Sequence, residues 1–263
     1  MPEHPSTNRE PSMARNDHRP LHGRTALVTG GSRGIGAAIV RRLAADGADV
    51  ALTHLRSEER ARAVVREAEA LGVRALAVRA DSADPEALRS AVGLVHERLG
   101  GPHILVNNAG VAPFGPFEGF TVADFDRAIA VHARAAFVAA QAAVPHMGPG
   151  GRIIGIGTNL SERAPLPEAV LYSTGKSALL GFTRSLAREL GPRGITVNLV
   201  HPGSTDTDMN PADGPGADAE RALTALGRYC SPEDVAASVA HLAGPGGRGI
   251  TGTSILVDAG ANA

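Results

Sequence analysis

From residue 25 onward the chain alternates short β-branched apolar runs with longer segments whose apolar residues recur every three to four positions, and this alternation limits the fold more than any other feature. Strands are expected at residues 25–29, 49–53, 73–80, 104–107, 195–200 and 254–257, with a further run over 151–157 that ends at Thr158. Between them lie helices at 35–46, with Ile39, Val40 and Leu43 on the apolar face, at 57–71 with Ser57 as cap, and from the Asp84-Pro85-Glu86 start signal. A long Ala-rich helix over about 121–145 follows, then helices at 171–190 and 232–242. Strands separated by helices require right-handed crossovers, so the expected fold is α/β. It is a single Rossmann-like doubly wound parallel sheet of about seven strands, covered by helices on both faces, with ligands beyond the carboxyl ends of the strands.

The 263 residues, 43% of them hydrophobic, suffice for one substantial core and impose no second domain. Residues 1–21 are rich in Pro, Arg, Asn and His without apolar period and are expected to be a disordered leader, leaving 22–263 as one domain. His18 and His22 have a helical metal-ligand spacing, but Pro20 between them argues against a helix, and no metal site is expected. A formal net charge of -1 without a long basic run argues against nucleic acid or an anionic membrane as partner. Cys230 is the only cysteine, and no long apolar run suggests a signal peptide or a membrane span, so a soluble cytoplasmic protein is expected.

Between the first strand and the first helix lies Thr29-Gly-Gly-Ser-Arg-Gly-Ile-Gly36. Glycines at 30, 34 and 36 would let backbone N–H groups and the helix N-terminus approach a pyrophosphate. The same letters contain Gly30-x-Ser32-x-Gly34, which mimics a hydrolase nucleophile elbow. That reading is disfavoured because too few strands precede it.

Tyr172 and Lys176 stand four residues apart, so in a helix a phenol and an ammonium share one face. The cation favours the phenolate, which would let Tyr172 donate or accept a proton near neutrality. Thr158, where the preceding strand runs out, offers a hydroxyl to the same reacting oxygen, with Asn159 and Ser161 as rival donors.

With these pieces in order, the chain resembles the short-chain dehydrogenase/reductase family from about Gly23 onward, with wording closest to 3-oxoacyl-[acyl-carrier-protein] reductases. The resemblance rests on the 29–36 turn, Asn107-Asn-Ala-Gly110, Tyr172 with Lys176, Asn198 with Pro202-Gly203, and Ile250-Thr-Gly252 with Val257-Asp258. It implies NADP(H)-dependent hydride transfer between nicotinamide and a carbonyl or secondary alcohol, with a small-molecule or carrier-bound substrate and a homotetramer or homodimer.

Carried over by resemblance, Tyr172 is the general acid/base, Lys176 holds the nicotinamide ribose and lowers the Tyr pKa, and Thr158 takes the place of the family's Ser. His132 stands where the family has Asn. Either it relays a proton near Lys176 or it is a satisfied helix histidine, and the two readings are level. The cofactor set is Gly30, Ser32, Arg33, Gly34, Ile35, Gly36, His54, Arg56, Asp81, Ser82, Asn108, Ala109, Gly110, Pro202, Gly203 and Thr205, with Tyr172 and Lys176. His54 occupies the position where NAD-selective members carry an acid. Arg33 and Arg56 supply the positive charge a 2′-phosphate needs, so NADP(H) is expected over NAD(H). Residues 204–227, rich in Asp, Pro and Gly, occupy the family's substrate lid and are expected to be a mobile loop. The departures at Thr158 and His132 keep a second reading open, a cofactor-binding member that no longer catalyses and acts as a sensor or partner protein.

Overall fold

The structure, a computed structural model, describes residues 19–263. Seven strands form one parallel sheet in the order β3-β2-β1-β4-β5-β6-β7. They are β1 (Thr25–Val28), β2 (Asp49–His54), β3 (Ala75–Arg79), β4 (Ile104–Asn107), β5 (Arg152–Ile156), β6 (Thr196–Pro202) and β7 (Ser254–Val257). The helices are α1 (Gly34–Ala45), α2 (Glu58–Ala70), α3 (Pro85–Leu99), α4 (Val122–Ile129), α5 (Ala135–Ala143), α6 (Val170–Leu190), α7 (Ala217–Ala222) and α8 (Pro232–Ala243).

Side-chain alternation divides the core between the two faces. Ala26, Val28, Val106, Ile154 and Val200 pack with Ile39, Val40 and Leu43 of α1 and Val235, Val239 and Leu242 of α8. Leu27, Leu105, Ile153 and Val197 point the other way, onto Val92 and Val95 of α3, Ala139 and Ala143 of α5, and Ala187 and Leu190 of α6. Both faces are dry, which is why these strands read as continuous apolar runs rather than alternating ones. Each buried Leu, Ile or Val contributes about 1.5–3 kcal/mol by area. A charge at Ile154, 1% exposed in the central strand, would break the fold.

The helix starts follow local chemistry. The Asp84 carboxylate accepts from the N–H groups of Glu86 and Ala87, at 2.9 and 3.3 Å, and Pro85 takes the first helical position. Thr121 and Asp124, like Ser231 and Asp234, form reciprocal capping boxes. Ser57 stands at the N-cap of α2 but its hydroxyl makes no capping bond, contrary to expectation.

The expected single helix over 121–145 is α4 and α5 joined by one π turn, Ala130–Arg134, in which the Ala135 N–H bonds to Ala130 O. Contrary to the sequence reading, the run Val122–His146 is long and apolar enough to cross a membrane, but 56% of its apolar window is buried inside the protein as a core helix. The ordered packing begins slightly earlier than residue 22. Leu21 is buried in the α1 core, and Arg19 donates to Leu71 O at 3.0 Å. The rest of the leader expectation, with His18, lies outside the described residues.

Candidate active site

The strand order reverses between β1 and β4, and a cleft opens at their carboxyl ends. The 29–36 turn leaves β1 there, and its glycines answer to crowding. Gly30 has φ +66°, and a Cβ on it would stand 3.0 Å from Ala109 Cα; one on Gly36 would stand 2.6 Å from Asn108 Nδ2. Asn108 clips the turn, its amide donating to Thr29 O and Gly30 O at 2.9 and 3.1 Å. The N–H groups of Asn108 and Ala109 in turn donate to the Thr29 hydroxyl, at 3.0 and 3.1 Å. Thr29 and Asn108 therefore weld β1 to β4 at the switch point. Ser32, Arg33, Gly34 and Ile35 carry the chain from the turn into α1.

On the β2 side His54 is buried at the strand end, its Nδ1 without a partner, and burial holds its pKa below the usual imidazole value. Arg33 lies 3.9 Å from Asp208 of the 204–227 segment. Asp208 also takes an ion pair from Arg60, which the sequence reading passed over; its place in the first turn of α2, just past His54, was the available signal. Arg56, the expected second cation, is exposed and makes no ion pair among the described residues. Asp81 follows β3 and accepts from Ala83 N at 2.8 Å while Arg127 stands 3.5 Å away; Ser82 is partly exposed beside it.

On the β4–β6 side the four expected catalytic side chains come together. Thr158 leaves β5 in extended conformation, buried, with its hydroxyl toward Tyr172. Asn159 turns away, and its amide faces Asn262 at 3.5 Å. Ser161 is buried without a partner. Lys176, one turn beyond Tyr172 in α6, is buried and donates to Ile156 O at 2.7 Å. Burial alone brings its pKa down to about 8. The expectation that Lys176 lowers the phenol's pKa is not what the site displays. Burial pushes the Tyr172 pKa up, and the Thr158 hydrogen bond works against it.

His132 lies in the π turn with one ring nitrogen engaged and the other, the buried Nδ1, without a hydrogen-bond partner. Its Nε2 stands 3.1 Å from Val111 N and 3.0 Å from Val111 O, holding the segment after Gly110 against the helix. Burial, then the charge of Lys176, lowers its pKa to about 3, so it is neutral at physiological pH. Gly175 makes room for the ring, since a Cβ there would stand 2.6 Å from His132 Nδ1. Gly110 likewise fits between Lys176 and His132, at 3.3 and 3.4 Å from a Cβ.

Phe114, 51% exposed, lies over Tyr172 with ring centroids 5.2 Å apart, an apolar wall that sequence reasoning missed because nothing local marks a loop Phe. Pro202 and Gly203 end β6, and the buried Thr205 donates to Gly203 O at 3.0 Å. The 204–227 segment, expected to be a mobile lid loop, is not irregular. It contains α7, whose Glu220 accepts from Ser204 at 2.5 Å and Asn210 at 2.8 Å, tying its two limbs together.

The geometry combines a glycine cradle at a sheet switch point with a half-buried phenol and a buried hydroxyl and ammonium on neighbouring elements. Residues 30–262 match the family model described as enoyl-(acyl carrier protein) reductase. A short-chain dehydrogenase from Burkholderia cenocepacia J2315, crystallised in complex with NADP, is 58% identical with a TM-score of 0.92, over 93% of this chain and 100% of that one. A blue fluorescent protein from a metagenomic library, crystallised with NADPH, is 54% identical with a TM-score of 0.91, again over 93% and 100%. The cyclic-di-GMP-binding biofilm dispersal mediator protein of Escherichia coli K12 is 44% identical over 90% of this chain and 96% of its own length. With similarity this high across nearly all of the chain, the protein belongs to the short-chain dehydrogenase/reductase family of oxidoreductases.

Proposed function

We propose that the protein is an NADP(H)-dependent carbonyl reductase, or alcohol dehydrogenase in reverse, with Tyr172 as general acid/base. The observation that carries this reading is the meeting of the half-buried Tyr172 with the buried Thr158 and Lys176 at the end of β5, the Thr158 hydroxyl lying beside the phenol.

The residues fit a dinucleotide. The cradle at Gly30 and Gly36 has no space for side chains, so only backbone faces a pyrophosphate, and Arg33 and Arg60 stand where a 2′-phosphate would need cations. The remaining candidates along this path are Gly34, Ile35, His54, Asp81, Asn108 to Gly110 and Thr205. NADPH, when bound, supplies the hydride.

The protein's own part is proton management. Burial keeps the Tyr172 phenol protonated, ready to donate at its hydroxyl to a substrate oxygen, and Thr158 orients that hydroxyl in the same pocket. Lys176 holds positive charge beneath the site, where its part is to offer N–H donors to a cofactor hydroxyl rather than to lower the phenol's pKa. His132, neutral and bonded to Val111, positions the loop after Gly110 rather than carrying the proton. Phe114 offers an apolar surface beside the phenol, which suits a ketone bearing an apolar group.

The test is NADPH consumption with a panel of ketones, aldehydes and carrier-bound 3-oxoacyl substrates, comparing the protein with Tyr172→Phe. Turnover that Tyr172→Phe abolishes supports the reading. Turnover unchanged by Tyr172→Phe removes Tyr172 as proton donor. A second reading, ligand sensing without turnover, is favoured by one observation, the 44% identity to the cyclic-di-GMP-binding protein of Escherichia coli. NADPH binding without turnover of any carbonyl in the panel would favour it.

A further inference from the structure

At the opposite end of the sheet, where the strands begin, three neighbouring strands start with basic residues. Arg24 precedes β1, His103 precedes β4, and Arg152 opens β5. The ladder holds them side by side. His103 N donates to Thr25 O at 2.8 Å, and Arg152 N donates to His103 O at 3.0 Å.

Arg152 is 8% exposed, yet its Nε has no acceptor and its Nη1 reaches only Gly151 O, at 3.0 Å. The Arg24 guanidinium lies against the glycine turn before β5, where a Cβ on Gly150 would stand 2.8 Å from its Nη2. Neither arginine has an ion pair among the described residues. Burial and then the charge of Arg24 disfavour the charged form of Arg152, and the same two causes act on His103. His103 Nδ1 accepts from Thr25 N at 2.9 Å, so its hydrogen sits on Nε2, a further donor.

Arginines at this end of a parallel sheet ordinarily find the carbonyl ends of the helices, and two others here do. Arg74 donates to Arg98 O and Leu99 O at the end of α3, and Arg193 to Val144 O and Met147 O beyond α5. Those acceptors are thereby taken, and Arg24 and Arg152 are left without them. A guanidinium cannot shed its proton as a buried lysine can, so unmatched positive charge here persists at all working pH. Like charges gathered without a counter-ion favour an anion.

We propose that this corner is a binding site for a phosphate-type oxyanion, held by the guanidiniums of Arg24 and Arg152 with His103 as a further donor, at the far end of the sheet from the catalytic residues. A tetrahedral dianion matches the forked N–H geometry of paired arginines better than a halide does.

The test uses the full chain saturated with NADPH, so that the glycine cradle does not compete for the probe, with inorganic phosphate titrated against sodium chloride at matched ionic strength. Phosphate is expected to raise Tm saturably, by about 3 to 6 °C at roughly ten times its Kd. Arg24→Gln and Arg152→Met should each lose most of that phosphate-specific rise. Should Arg152→Met fail to fold, Arg24→Gln, at a partly exposed position, decides alone. A rise no larger than chloride produces, or one that is undiminished in Arg24→Gln, overturns the site.

Discussion

On the β1–β3 side of the cleft, Arg33 and Arg60 share the carboxylate of Asp208 and Arg127 meets Asp81, all three pairings among side chains about one-third exposed or more. On the β4–β6 side, Lys176, His132 and Tyr172 are enclosed, and burial is the largest cause of each pKa shift. Solvent screens the first set, so each charge there adjusts affinity modestly. The second set lies in low dielectric, where one misplaced hydroxyl or ammonium changes a barrier. Under the proposed function, the same end of the sheet separates holding a ligand from reacting with it. Substitutions on the two sides should differ in kind as well as in size.

The largest effect is expected at Tyr172. Tyr172→Phe removes one hydroxyl and little volume, so turnover should fall roughly 100- to 10,000-fold while NADPH binding, read by fluorescence titration, stays nearly constant. Loss of binding together with turnover would erase the contrast between the two sides.

Thr158 comes next. Thr158→Val keeps the shape of a buried β-branched residue and removes the donor, at an expected cost of about 2–4 kcal/mol in kcat/KM, whereas Thr158→Ser should keep or raise activity. Full activity in Thr158→Val with an inactive Ser161→Ala would move the role to the other buried hydroxyl.

The pH profile sharpens the enclosed side further. Lys176 has its pKa lowered to about 8, so its charged form prevails below that value and is lost as pH rises through it. With the phenol's own pKa pushed upward, the reductive rate should decline above about pH 8, tenfold per unit, and Lys176→Met should lack that limb. His132, with a pKa of about 3, should add no limb near 6.5, and His132→Asn should leave the profile's shape unchanged. A limb near 6.5 that vanishes in His132→Asn would restore the proton-relay reading.

On the open side, Arg33→Ala should weaken NADPH binding by about 1–3 kcal/mol while sparing NADH. The smallest effect belongs to Asp208→Asn, which removes an exposed competitor for both arginines. It should tighten NADPH by no more than about fivefold, an advantage that fades with added salt. Weaker NADPH binding in Asp208→Asn would instead make Asp208 a latch that holds the lid on the bound cofactor.

The sequence by itself determined the alternation of elements, because burial on both faces writes the inner strands as largely apolar runs, and caps such as Asp84-Pro85 and Thr121 with Asp124 act within a few residues. Strand 104–107 was legible to the residue for that reason, and 254–257 from its apolar run alone, since its residues are only partly buried. It also brought Tyr172, Lys176 and Thr158 forward, since their spacing and the strand end are local facts.

What only the tertiary structure decided are relations across the chain. Nothing in the letters around Asp208 says that it meets Arg33 and Arg60. The π turn that seats His132 against Val111, the Glu220 ties that organise residues expected to be a loose loop, and the burial that raises the Tyr172 phenol are equally non-local. Propensity and capping act over one turn of chain. Desolvation and charge pairing depend on which distant segments fold over a group, and those neighbours exist only once the sheet has brought them together.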